Sequence, residues 1–188
     1  MDSLNRKAFI VFFLLLVLDF IVRISLSKEA IDPKGLEHLS FDPTQVLTVE
    51  IASGKERVTI ARTSRGLERV GIVLREEGGK ESGPLPPSKA REVEAFLQRI
   101  CTLVRESIDG APGNEDTTYG LDPEHSVGVR LQYKRNGKEE RSFAVRFGSV
   151  LPLNVMYVYA SFDDKPGLFK VLKTYKESTM TLLHSLIQ

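Results

Sequence analysis

Tryptophan is absent from this chain of 188 residues, and cysteine occurs only once. A lone Cys101 excludes an intrachain disulfide and any multi-cysteine metal centre. Its neighbours Leu97, Ile100, Leu103 and Val104 mark it as a buried structural thiol, because free cysteine behaves as a small hydrophobe. An excess of either charge sign is missing as well, since the formal net charge is +1. Residues 1–27 carry all of it, with Arg6, Lys7 and Arg23 against Asp2 and Asp19, three minus two, so the remainder is neutral. Nucleic-acid binding needs a phosphate-neutralising surplus of Lys and Arg on one face, and no such partner is expected. Aromatic residues make up only 8%, which argues against a glycan site.

Signatures of catalysis are missing too. The chain lacks G-x-S-x-G, H-E-x-x-H, the phosphate-cradling G-x-x-x-x-G-K-[ST] and G-x-G-x-x-G. His38, His125 and His184 fall in a linker, a turn and a terminal helix, without a cysteine or carboxylate at ligand spacing, so neither metal binding nor base chemistry is expected of them. Glu115, Asp116, Asp122 and Glu124 are rich in oxygen but lack the calcium-loop spacing. Asp163 to Gly167 reads as a turn. No nucleophile, base and orienter can be nominated together, so the expectation is a protein that is not an enzyme and uses no cofactor and no metal.

What the chain does have begins with an apolar run from Ala8 to Leu18, led by Arg6-Lys7 and followed by Asp19, Phe20-Ile21-Val22 and Arg23. As a signal anchor over residues 1–27, Ala8 to Leu26 would rise about 28 Å, enough for a hydrocarbon core of about 30 Å. As a cleavable signal peptide, the run has a suitable length and a small-residue site at Ser25 and Ser27. Asp19 and Arg23 lie late in the segment and favour the anchor. Either way the rest is exported, and the basic leader points to a single N-terminal span of a bacterial inner membrane with the N-terminus inside and the domain periplasmic. Asp19 and Arg23, one helical turn apart, are candidate partner-binding residues for a neighbouring membrane helix; the alternative is a pair at the outer interface with Arg23 snorkelling.

Residues 28–45 read as a juxtamembrane linker and 46–188 as the exported domain. Val46 to Ile51 and Val58 to Ala61 alternate around a Gly54 turn, which predicts a hairpin, with a third strand over Leu67 to Leu74. The Gly- and Pro-rich stretch Glu76 to Ser88 predicts a loop, with Ser88 capping an amphipathic helix from Lys89 to Ser107. Val127 to Tyr133, an Asn136-Gly137 turn and Phe143 to Gly148 predict a second hairpin. Strands over Val155 to Ala160 and Leu168 to Leu172 and a helix over Thr174 to Ile187 follow. The order strands, helix, strands, helix predicts an α+β fold of antiparallel sheets with two packing helices and two related β-rich halves, 46–108 and 119–188. Leu151, Leu153, Val155 and Met156 form a nearly continuous apolar stretch broken by Pro152, which suggests an edge or loop and a patch for a partner, the alternative being a loop that plugs the core.

Tyr119-Gly120-Leu121-Asp122-Pro123, between a helix and a hairpin, predicts a rigid corner with Tyr119 and Leu121 turned into the core. Together with Val145-Arg146-Phe147-Gly148 and Met156-Tyr157-Val158-Tyr159, this corner resembles the bacterial family catalogued as domain of unknown function 4340. The resemblance covers roughly Val46 to Ile187 and implies a signal-anchored extracytoplasmic protein, some members being linked to gliding-motility-type transporter components, with no established catalytic residues. The function expected is an accessory or structural subunit of a larger integral membrane protein complex, transporter-like or energy-transducing. The alternative is a module that binds a small ligand, lipid or glycan between the two halves.

Overall fold

The computed structural model describes residues 36–64, 66–73, 83–108, 117–135 and 138–188. The expected anchor with Asp19 and Arg23, most of the loop after Glu76, the pair Glu115-Asp116 and the Asn136-Gly137 turn lie outside the described residues. Among the described residues no helix is long and apolar enough to cross a membrane. Contacts divide the chain into Met1–Leu36 and Glu37–Gln188, and the second unit holds the fold.

Its elements in chain order are β1 (Leu36–His38), a short 3-10 turn (Pro43–Gln45), β2 (Val46–Ser53), β3 (Glu56–Thr63), β4 (Gly66–Val73), β5 (Gly83–Pro84), α1 (Pro87–Ile100), β6 (Val104–Ser107), β7 (Val127–Arg135), β8 (Glu139–Leu151), β9 (Asn154–Phe162), β10 (Phe169–Leu172) and α2 (Lys173–Ile187). All ten strands form one sheet in the order β1-β6-β10-β9-β8-β7-β2-β3-β4-β5, and the pairs from β6 through to β5 are antiparallel. The α+β architecture with two helices is therefore present, built on a single sheet.

Register turns alternation into layers. Val49 faces Ile60 on one side and Leu131 on the other, and Leu131 faces Phe143. One step along, Val58, Ile51, Val129, Val145 and Phe162 form a second row across five strands. These buried side chains meet Val93, Phe96, Leu97 and Ile100 of α1 and Leu182, Leu183 and Leu186 of α2 in one core. Burying an aliphatic or Phe side chain of this kind contributes roughly 1.5–3 kcal/mol relative to leaving it exposed, so the helix-bearing face supplies most of the stability. Arg62 ties α1 to β3, with its two terminal nitrogens 2.7 and 3.0 Å from the Glu94 carboxylate.

Three expectations need correction. The helix expected to run to Ser107 stops at Ile100. Val104 continues the helical spacing, but the Leu103 amide bonds Ile100 O, and the Thr102 hydroxyl donates back to Gln98 O and Arg99 O, which closes the last turn. Cys101 O and Leu103 O then accept from Phe41 and Leu39, and Val104–Ser107 extends as a strand. Ser88 does not cap, because Pro87 occupies the first helical position, where its fixed φ suits the helix, and Pro86 stands at the cap. Finally, residues 37–45 belong to the folded unit: Leu39 and Phe41 pack on the core, with the Phe41 ring 4.7 Å from Tyr133 and 5.0 Å from Phe143.

The two expected halves each hold a strand meander and a helix, joined at the β2–β7 pairing. They are not separate, because β6 follows α1 yet pairs with β10 of the later half.

Candidate functional site

Between Arg146 and Asp163 the chain has no charged residue, although 27% of the chain is charged. This stretch is the β8–β9 hairpin. Pairing of β7 with β8 reaches Phe147, and pairing of β10 with β9 ends at Tyr157, so the hairpin between those residues overhangs both neighbours. Pro152 and Leu153 form its turn. The apolar stretch thus makes a convex tip and not a plug in the core: Leu153 is 101% exposed, Val155 68% and Met156 59%, while Leu151 is half-buried. Sequence reasoning placed the four candidate residues Leu151, Leu153, Val155 and Met156 together, and the hairpin does gather them at one end of the sheet. Proline is tolerated there because the turn asks nothing of its missing N–H.

The Tyr119–Pro123 corner sets the direction of the tip. Gly120 has φ +64°, and a Cβ on it would sit 2.3 Å from Ser149 Oγ. A Cβ on Gly148 would sit 2.3 Å from Tyr119 O and 3.0 Å from Leu121. The two glycines let corner and strand interlock, and Ser149 N donates to Tyr119 O at 2.7 Å. That bond takes the place of a ladder bond where β8 shifts register between Phe147 and Val150, a bulge that re-aims the hairpin. Arg146 donates to Leu121 O from one side and Lys176 Nζ to Gly148 O from the other. Leu121 is buried, as expected, whereas the half-buried Tyr119 packs its ring at a tilt against Tyr159, centroids 4.8 Å apart. Asp122 closes the corner: its Oδ1 accepts from the Glu124 and His125 amides and lies 2.7 Å from His125 Nδ1. His125 therefore does have a carboxylate partner, and that contact holds the Asp122 carboxyl below the usual carboxylate range.

At the other end of the nine-residue β9, about 27 Å away at the rise of a strand, charge is concentrated instead. Arg105, 4% exposed, donates to Asp164 at 2.6 and 2.9 Å and to Glu37 at 2.9 Å. Its guanidinium lies 4.6 Å from the Phe162 ring centre and 4.9 Å from that of Phe169. Lys165 also binds Glu37, and the ammonium and guanidinium together hold the Glu37 carboxyl low. This node fastens the point where the chain enters the unit.

A third feature lies on the face of the sheet away from the helices. Ala52, Gly128, Ala144 and Ser161 floor a hollow of about 520 Å³. Glu50, Arg57, Arg130, Arg146 and Asp163 surround it. Arg57 Nε is 3.5 Å from Glu50, which stands opposite Arg130 across the β2–β7 pair.

The remaining sequence candidates are structural. Cys101 is fully buried, and burial pushes its thiol up to about 11, so it stays protonated. No group of three or more His, Cys, Asp or Glu side chains among the described residues could hold a metal ion. No protein-family model, curated protein or solved structure matches the chain.

Proposed function

We propose that the chain is a membrane-anchored, extracytoplasmic, non-catalytic accessory subunit that docks its β8–β9 tip into an integral membrane protein complex. The overhanging apolar tip carries this reading. Large apolar side chains exposed on a protruding, uncharged hairpin cost solubility unless something covers them, and such patches mark interaction sites. A protein receptor suits the tip better than a bilayer surface. Interfacial segments carry unpaired lysine and arginine for anionic lipid, whereas the lysines of β10 and α2 are engaged: Lys170 with Glu106 at 2.8 Å, Lys173 with Glu177 at 3.0 Å, and Lys176 with Gly148 O.

A single hairpin tip buries less than the roughly 1,200 Å² of a standard stable interface, so its intrinsic affinity is low. The apolar run at Ala8–Leu18 supports tethering, which raises the local concentration and makes a small contact sufficient. The tip and Glu37, the first residue of the folded unit, lie at opposite ends of β9. The resemblance to domain of unknown function 4340 agrees with this role and with a transporter-like or energy-transducing partner.

The test is mild-detergent purification of the full-length chain from its native membrane, with mass spectrometry of everything retained, in parallel with Leu153→Asp. Stoichiometric recovery of one membrane complex by the natural chain, lost in the variant, is the expected result. Recovery of a lone trimmed chain, or equal recovery by both proteins, overturns the reading.

A further inference from the structure

Three glycines of the second half allow a comparison that isolates the open-face hollow. Gly120 and Gly148 are demanded by close backbone approaches. Gly128 is not: it lies in the interior of β7, its φ is not positive, and a Cβ there would meet nothing nearer than 4.0 Å. Glycine in a strand interior weakens the strand, and where packing does not require it, it marks a place where something approaches the backbone from outside.

Register shows what surrounds it. Gly128 is flanked by Ala52 on β2 and Arg146 on β8; Arg57 lies beyond Ala52 and Ser161 beyond Arg146. In the next row Arg130 stands between Glu50 and Ala144. Three guanidinium groups therefore border one hollow floored by small side chains, and Arg146 is already fixed there by its bond to Leu121 O.

We infer that this hollow is a binding site for a small phosphate ester of a polyol, either free or as the headgroup of a phospholipid. Guanidinium pairs bind phosphate oxygens in a planar, two-pronged manner, and three of them match the several peripheral oxygens of a phosphomonoester better than one carboxylate. Glu50, 3.5 Å from Arg57, and Asp163, whose Oδ1 accepts from Ala144 N at 2.7 Å, each keep carboxylate oxygen capacity on the rim for hydroxyl groups beside the phosphate. The floor of Ala52, Gly128 and Ala144 admits the ligand close to the sheet. The site is independent of the docking tip, which lies at the end of the β8–β9 hairpin.

The experiment is calorimetric titration of the full-length chain in non-ionic detergent with inorganic phosphate, with glycerol 3-phosphate, and with vesicles containing an anionic phospholipid. Arg130→Gln and Gly128→Val are measured beside it. Saturable binding is expected for glycerol 3-phosphate, and more weakly for inorganic phosphate, if the free ester is the source, and for vesicles if the headgroup is. Each variant should weaken that binding at least ten-fold. Gly128→Val should do so with a thermal midpoint unchanged or raised, since valine suits an exposed strand position; Gly128→Ala serves in its place if valine prevents folding. Absence of saturable binding to all three probes, or binding unaltered in both variants, overturns the inference, and neither result touches the tip.

Discussion

The two ends of β9 carry opposite chemistry on the same scaffold. Where the strand ends, at Phe162 to Lys165, Arg105 brings together two carboxylates and two aromatic rings; where it begins, at Leu153 to Tyr157, there is no charge and three large apolar side chains stand in water. Both ends are held in place, one by an ion-paired node and the other by a bulge clamped from Tyr119 and Lys176. Local order alone therefore does not tell an anchoring point from a contact point. What separates them is whether the side chains satisfy each other: those of the node do, and those of the tip do not.

Substituting the node should produce the largest loss. Arg105→Leu leaves Asp164 without its bidentate partner and is expected to cost about 2–3 kcal/mol in urea unfolding, below the value for fully buried pairs because the carboxylates remain partly exposed. At the tip end the matching change is Gly148→Ala, which drives a Cβ against Tyr119 O and should cost about 2 kcal/mol while also displacing the hairpin, seen as increased amide exchange at Ser149. Acid should act on node and corner together. The Glu37 and Asp122 carboxyls titrate lower in the folded than in the unfolded chain, where they lie near about 4.3 and 3.9. In that window the unfolded chain binds more protons, so their contribution, present at neutral pH, is lost as pH falls through the folded values. Unfolding series from pH 6 to pH 2.5 should fall less steeply for Glu37→Gln with Asp122→Asn than for the natural chain. The smallest change belongs to Leu153→Asp, within about 0.5 kcal/mol of the natural stability, because the side chain touches water alone. If that variant were strongly destabilised, the contrast between the two ends would collapse.

Much of the sheet was legible in the sequence because period-two alternation survives wherever one face is buried. Val127 to Leu131 and Phe143 to Phe147 are examples, and the tip residues stood out for the same reason, as an apolar run that broke the alternation. Val104 to Ser107 was not legible. Val104 keeps helical spacing, and Arg105 reads as a solvated residue until Glu37 and Asp164, separated from it by 68 and 59 positions, are folded around it. The hollow was equally hidden. Ala52, Gly128, Ala144 and Ser161 are unremarkable where they stand in the chain, and only register aligns them. Gly120 and Asp122 signalled a corner, but its partner Gly148 lies far along the sequence and revealed itself only as a clash.

The crossing of α1 from one flank of the sheet to the other has a consequence for how the chain reaches this structure. One side of β2 remains open until β7 arrives, and β6 finds its neighbour β10 only when residues 169–172 are present. No early part of the sheet can close its hydrogen-bonding rim from its own residues. Contacts of such long range are slow to form, and bare strand rims recruit other chains. A segment ending near residue 118 should consequently aggregate instead of folding, and a chain made from its first residue onward stays sticky until nearly all of it is present.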